Sequence, residues 1–410
     1  MNPAPSGAQP ELSVAKVLQV FLSEYRQRYP LPVHQLKVLT RLADCRSPRL
    51  GWTLWQCEPC QKSLWQPNGC GDRHCPACQY QRTAKWLAKQ RAALLPVRYF
   101  HLVFTLPALL RPLALQNPAL LYGLLFDAAS ATLLQFGQER FKAQLGLTAI
   151  LHTWGQNLVH HPHLHCLVPG GGLSAQNSWV GPKQTRWLFD VHALGAMFEG
   201  KFCAGLLRLH ALGKLQFHGQ CQPFQKPAAF TALLRQLHTQ RWVVFAKGSV
   251  RGPTAVLEYL GRYAHRVAIS NRRLLAIDPV SRTVTFHYKD YADGSRIKPI
   301  TLSGVEFIRR FLLHILPLGL TKIRHYGLLG NNRRQVRLPL ARAALEKSPL
   351  RFDPPVQIPA TTPKPRKGLT CPHCQGQKFR CLGRMDRSGK WTVFGLPFLR
   401  NAAHPWIDSS

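Results

Sequence analysis

Residues 147–172 read LTAILHTWGQNLVHHPHLHCLVPGGG, and their patterning sets the fold class. Two strand candidates, LTAILHTWG and HLHCLVPGGG, combine apolar and β-branched residues and run out at glycine. Alternate side chains of a strand share a face, so His163 and His165 point one way while Leu164 turns into the core behind them. Two imidazoles on one face can hold a divalent metal. The motif alone is weak, because 18 histidines among 410 residues give roughly 0.8 His-x-His pairs by chance.

Further strands are predicted on either side, at RYFHLVFTLP (98–107), RWVVFAKG (241–248), RVAISN (266–271) and TVTFHYKDY (283–291). Helical periodicity marks 11–44 on both sides of Pro30 and Pro32, then 83–95, a long region from 108 to about 145, 190–238, 254–266 and 305–316. Strands with helices inserted between them predict an α+β fold with a mainly antiparallel sheet flanked by helices. Three units are expected. Residues 1–97 are helical and cysteine-bearing, 98–350 carry the strands, and 351–410 are a Pro-rich basic linker (FDPPVQIPATTPKPRKGL, 352–369) with a cysteine-containing tail.

Charge narrows the partners. Against 54 Lys and Arg stand 18 Asp and Glu, a formal balance of +36, while hydrophobic residues make up 45%. The chain can bury a core, and self-repulsion that large suits a polyanionic partner, nucleic acid before an anionic membrane surface. The opening residues lack a basic stretch followed by an apolar one, so no secretory signal is expected. The most apolar region, 108–137, is broken by Arg111, Pro112, Asn117, Pro118 and Asp127, which argues against a membrane span. A cytoplasmic, nucleoid-associated protein is expected, with its 12 cysteines serving as metal ligands rather than disulfides.

Six of those cysteines lie within 45–78. Cys57-x-x-Cys60 and Cys75-x-x-Cys78 are two knuckles 14 residues apart, a spacing that lets four thiolates converge on one structural Zn²⁺. Cys45, Cys70 and His74 remain for a second site or for replacing a knuckle cysteine. Arg46, Arg49, Lys62, Arg73 and Arg82, interleaved with Trp52, Trp55 and Trp65, fit a small DNA-binding module; a purely structural zinc ribbon fits the same residues. Cys371-Pro-His-Cys374 is a half site without evident partners, and Cys381 follows it.

The segment Tyr259-Leu-Gly-Arg-Tyr263 places two phenols one helical turn apart on a common face. With the histidine strand before it and the zinc module in front, the chain resembles the HUH (His-hydrophobic-His) endonucleases. In detail it is similar to the two-tyrosine rolling-circle transposases of the insertion-sequence family numbered ninety-one. The likeness runs from about Cys45 to Arg334 through CGDRHCPACQ (70–79), HTWGQNLVHHPHLHCLVPGGGLS (152–174), YLGRYAHRVAISNRRL (259–274) and EFIRRFLLHILPLGLTKIRHYGLL (306–329).

That resemblance implies a catalytic domain over 98–350 that nicks and rejoins single DNA strands at element ends and target through a 5′-phosphotyrosine. Tyr259 and Tyr263 would be the nucleophiles, with Mg²⁺ or Mn²⁺ on His163, His165 and a third polar ligand. Gln156 is the expected third ligand and His160 the alternative. The chemistry is self-consistent, since a phenol with a pKa near 10 needs a phosphate activated by a cation. Arg262, Arg266, Arg272 and Arg273 surround the tyrosine helix and are expected to hold phosphates. Two rivals remain. A replication initiator or relaxase would share the chemistry but usually carries a partner domain, and no Gly-x-x-x-x-Gly-Lys-Ser/Thr loop is present. A non-catalytic zinc-ribbon DNA-binding protein would need neither the histidines nor the tyrosines.

Overall fold

The computed structural model describes residues 12–182, 187–250, 256, 261, 263, 264, 266–351 and 369–394. The fold is α+β and its sheets are antiparallel throughout. The largest has seven strands, in the order β7-β6-β4-β5-β3-β8 with β12 also beside β4. These are β3 (Tyr99–Thr105), β4 (Ala143–Trp154), β5 (His160–Pro169), β6 (Gly172–Ser174), β7 (Trp179–Val180), β8 (Val244–Val250) and β12 (Ile323–Gly327). Both segments of the opening stretch are therefore strands, and they pair as a hairpin with His152 directly opposite His163.

Alternation gives this sheet two different faces. Leu164, Cys166 and Val168 of β5, with Phe100, Leu102 and Phe104 of β3 and Leu147, Ala149 and Leu151 of β4, are buried in one large core. Helices α5 (Pro118–Phe141) and α6 (Val191–Ala211) cover that face. By length and composition α5 is the one described helix long and apolar enough to cross a membrane; here Leu121, Tyr122, Leu125, Phe126 and Leu133 are buried against the sheet and α6. The approach is close at Gly137, where a Cβ would lie 2.3 Å from the Leu145 side chain. The other face carries Tyr99, Ile150 and Leu167, packed with Val256 and Ala264 and with the helix Arg334–Glu346. The histidines lie on this second face.

A second core takes residues from both ends of the chain's first three quarters. Helices α1 (Val14–Arg28) and α2 (Val33–Ala43) pack on a three-stranded sheet of β9 (Leu274–Asp278), β10 (Thr283–Asp290) and β11 (Arg296–Ser303), in the order β11-β10-β9, and on the helix Gly304–Leu312. Ser13 caps α1 by accepting from the Lys16 amide at 3.1 Å. A Cβ at Gly304 would fall 2.2 Å from the Phe21 ring, so this helix starts where only glycine fits. RVAISN, expected as a strand, is not one: residues 266–270 are irregular, and the first strand of this sheet is β9 (Leu274–Asp278). Ala268 and Ile269 are nevertheless buried in this core. Burial without a ladder partner produced the strand-like pattern.

The region expected to be a helical stretch from 190 to 238 is two helices, α6 and α7 (Pro227–Thr239), separated by Gly213 with φ +62° and a short 3₁₀ turn at Gly219–Gln225. The expected tail also differs. Residues Phe379–Met385 form β13 and Trp391–Val393 form β14, and β13 pairs with β1 (Trp52–Cys57), itself paired with β2 (Ser63–Pro67), to make a four-stranded sheet, β14-β13-β1-β2. The C-terminal cysteines are thereby carried to the N-terminal module.

Candidate active site and thiol clusters

The hairpin geometry gathers three imidazoles. His152 faces His163 across β4 and β5, and His165 follows two residues along the same face. One ligand nitrogen from each ring lies within 4.8 Å of the others. The remaining nitrogen of each ring is engaged. His163 donates from Nδ1 to the His161 carbonyl at 2.7 Å, and His152 donates from Nε2 to the Tyr263 carbonyl at 2.8 Å. His165 Nδ1 shares a proton with His101 Nε2 at 2.9 Å. Such outer contacts fix tautomer and ring orientation, so that the other nitrogen presents its lone pair. The tautomers are assigned from these partners.

Burial keeps the rings neutral. Loss of water pushes His163 down to about 4 and His101 to about 3, and holds His152 and His165 well below the ordinary imidazole value. Three neutral imidazoles with converging lone pairs fit a divalent cation and leave coordination positions open. Gln156, expected as the third ligand, is engaged outside the imidazole group. It lies in the β4–β5 turn, its amide near the Tyr291 hydroxyl at 3.4 Å and its carbonyl bonded to Arg273. His160 is not in it either. It falls on the opposite side of β5 and meets the Tyr122 hydroxyl at 2.8 Å. The third imidazole of the group is His152, four residues before Gln156.

Tyr263 borders the triad. Its ring centroid is 4.2 Å from that of His165, 5.6 Å from His101 and 6.0 Å from His152. The residue is half-buried and helical. Gly261, in the same helix, faces Leu87 of α3 (Pro76–Arg91), where a Cβ would sit 3.1 Å from Cδ1. Tyr259 and Arg262 lie outside the described residues. Two further groups surround the site that sequence reading missed. Trp154 stacks on His152 at 4.5 Å, and Lys322 Nζ sits 5.0 Å above the Trp154 ring while donating to the Arg266 carbonyl at 2.5 Å. Desolvation, with the nearby positive charge of Arg73 and Arg266, pushes the Lys322 ammonium down to about 7.

The arginines divide. Arg266 and Arg272 are exposed, and the charge of Arg266 helps to lower both His163 and His165. Arg273 is committed to the fold: it donates to the carbonyls of His287 (2.7 Å) and Gln156, and it lies 5.5 Å over Phe286. Burial pushes its pKa down to about 10.

The two cysteine knuckles part company. Cys75 and Cys78 join Cys45 and Cys70, whereas Cys57 and Cys60 join Cys371 and Cys374. The expected quartet of Cys57, Cys60, Cys75 and Cys78 is thus replaced by two separate quartets. In the first, Cys45 Sγ stands 3.5 Å from Cys75 Sγ and 3.6 Å from Cys78 Sγ. Amides point at the sulfurs, Gly71 N to Cys78 Sγ at 3.3 Å and Cys70 N to Cys45 Sγ at 3.5 Å. Hydrogen bonds from Cys45, Cys70 and Cys75 push the Cys78 thiol far down, and Cys75 caps α3 at its positive end. His74 is not a ligand. Its Nδ1 meets Asp72 at 2.9 Å and its Nε2 accepts from the Leu316 amide at 3.1 Å. Beside it, Arg73 donates to the carbonyls of Leu320 (2.6 Å) and Pro317 (2.8 Å). Both residues tie this cluster to the 316–320 turn.

Two family models match the chain. One, described as "Putative transposase", covers residues 146–336, and the other, "Transposase zinc-binding domain", covers 17–106. "Putative transposase y4qJ" of Sinorhizobium fredii is 43% identical over 358 residues, spanning 86% of this chain and 87% of that relative. "Transposase for insertion sequence element IS801" of Pseudomonas savastanoi pv. phaseolicola is 27% identical over 340 residues, spanning 80% and 76%. No solved structure matches.

Proposed function

Because the chain belongs to the transposases of the insertion-sequence family numbered ninety-one, with an N-terminal zinc-binding domain, we propose that it nicks and rejoins single DNA strands through a 5′-phosphotyrosine. The observation that carries this reading is the Tyr263 ring lying 4.2 Å from His165, a member of the three-imidazole group. Membership makes it an enzyme that acts on DNA; the strandedness and the tyrosine chemistry are our reading.

His152, His163 and His165 would hold the cation. When bound, a divalent ion there supplies Lewis-acid polarisation of a phosphate oxygen. The phenol oxygen of Tyr263 attacks phosphorus, one P–O bond forms as another breaks, and the 3′ oxygen leaves as a hydroxyl able to prime synthesis. The bond energy is conserved in the phosphotyrosine, so rejoining needs no nucleotide cofactor. Tyr259, one turn earlier in sequence, is the second nucleophile, able to accept a strand while the first is occupied. Three nitrogen donors favour Mn²⁺ over Mg²⁺, whose preference is for oxygen. Arg266 and Arg272 are placed to meet phosphates. The cysteine quartet at Cys45, Cys70, Cys75 and Cys78 holds a structural Zn²⁺ at the base of α3.

The test is a denaturing gel of labelled single-stranded element ends incubated with Mn²⁺. A covalent protein–DNA adduct is expected from the native chain and from either Tyr259→Phe or Tyr263→Phe, and none from the double variant. An adduct surviving in the double variant would rule out this pair. DNA binding without any adduct would favour the non-catalytic zinc-ribbon reading.

A further inference from the structure

The quartet Cys57, Cys60, Cys371 and Cys374 draws on both ends of the chain. The matched zinc-binding region stops at residue 106, so half of this sulfur set lies far outside it. We propose that these four thiolates form a second, independent tetrahedral zinc site, which fastens the C-terminal segment to the N-terminal sheet. The proposal is separate from the nicking reading and involves none of its residues.

Distance and connectivity come first. Cys57 Sγ lies 3.5 Å from Cys374 Sγ, and Cys60 Sγ lies 3.5 Å from Cys371 Sγ. A disulfide requires about 2.05 Å. Sulfurs at ~2.3 Å from a tetrahedral zinc are separated by ~3.8 Å. The observed spacing is that of a metal tetrathiolate drawn slightly inward.

Backbone geometry is an independent observation. Each Cys-x-x-Cys is folded into the same knuckle. Cys57 N bonds to Lys62 O and Cys371 N to Gly376 O, both at 2.9 Å, and both bonds span five residues. Gln61 N returns to Cys57 O at 2.8 Å and Gln375 N to Cys371 O at 2.9 Å. Gln61 and Gln375 each have φ +58°, a left-handed conformation that few side chains adopt freely. Two segments more than 300 residues apart thus adopt one strained turn with one hydrogen-bond scheme, facing each other through sulfur. Unrelated surface loops have no reason to converge in this way; a shared tetrahedral ion gives them one. Gly376 completes the cradle, since a Cβ there would lie 3.1 Å from Cys374 Sγ and 3.4 Å from Cys57 Sγ.

The strands deliver the knuckles. β1 and β13 pair from Trp52↔Met385 to Cys57↔Phe379, and Glu58 N continues the ladder to Lys378 O at 2.9 Å. Sheet and metal act as one clamp. A Zn²⁺ with four thiolates carries a net charge of about −2, which the surplus of Lys and Arg offsets.

The test uses the full-length chain loaded with Co²⁺, whose thiolate-to-metal charge-transfer absorption counts sulfur ligands and is blind to an all-histidine site. The native chain should show the intensity of two tetrathiolate centres. Cys371→Ser with Cys374→Ser should halve it, Cys57→Ser with Cys60→Ser should do the same, and combining all four should cause no further loss. Hydrogen exchange should then rise in residues 52–57 and 379–385 while α5 stays protected, which separates loss of the clamp from general unfolding. A native chain with the intensity of one centre would overturn the proposal, as would a Cys371→Ser/Cys374→Ser chain that keeps both. Loss of both centres in that variant would make the two quartets one cooperative unit and refute their independence.

Discussion

The histidine group takes its three imidazoles from two neighbouring strands, with the Tyr263 ring packed beside them. Each cysteine quartet instead gathers four sulfurs from separate segments and closes on itself. With four protein ligands a tetrahedral ion has no position left for substrate, and its contribution is folding energy; with three, coordination remains for a reacting oxygen. The contrast extends to what surrounds the ligands. The thiols accept backbone amides in turns, whereas each imidazole is oriented by one specific partner, the His161 carbonyl, the Tyr263 carbonyl or His101. The sulfurs meet where loops converge, and the three imidazoles stand on the β4–β5 ladder, beside its bulge between His152 and Trp154.

The contrast breaks first at His152. Replacing His163 and His165 together, or His152 alone, with Ala should reduce adduct formation by more than about 10³-fold, since the activation lost is several kcal/mol. DNA affinity should change by only a few-fold. Gln156→Ala should stay within about threefold of the native rate. Rates of adduct formation with Mn²⁺ decide this, and the reverse ranking of His152 and Gln156 would mean the triad is misassigned.

His101 sharpens the comparison at a lower level. It lies outside the three-imidazole group, but it bonds to His165 Nδ1 at 2.9 Å. His101→Ala should weaken Mn²⁺ binding by about 10–100-fold, read by calorimetric titration, while the Co²⁺–thiolate absorption stays at its native intensity. A fall in both signals would show that His101 acts through general packing.

Acid gives the smallest effect per group. Burial holds His314 and His325 at about 4 and His160 at about 3, below the ordinary value of 6.5. A base whose folded pKa is depressed leaves the unfolded chain to take up protons first. The stability it contributes is therefore present above pH 6.5 and is lost as pH falls toward 4 and 3. Each ring adds a slope of at most about 1.4 kcal/mol per pH unit. The urea midpoint should fall between pH 7.5 and pH 5; equal midpoints would contradict the buried neutral assignment.

His163 and His165 were legible because strand alternation is a local rule. His152 was present in the same quoted stretch, but choosing it requires knowing that β4 and β5 form a hairpin whose register puts residue 152 opposite 163. Once a five-residue turn at 155–159 is assumed between the strand candidates, that register can be read from sequence. The fate of the cysteines could not be. Pairing Cys57 with Cys374 spans 317 residues, and no periodicity or spacing carries information over that distance. Knuckle spacing singled out the thiols but misassigned which pairs meet. Arg273 shows a third kind of limit: in sequence it is another basic residue beside a tyrosine helix, and only its backbone partners, His287 and Gln156, reveal a structural role.

The pairing of β13 with β1 also bears on how the chain is made. Cys60 and Cys371 stand 311 residues apart. At ~5–20 residues per second, the ribosome needs about 15–60 s after making the first knuckle before the second exists. Throughout that interval the nascent N-terminal hairpin of β1 and β2 has an open edge and two unclaimed thiols. The first sheet begun is among the last completed, and a message truncated before residue 371 would yield a protein whose opening module never closes.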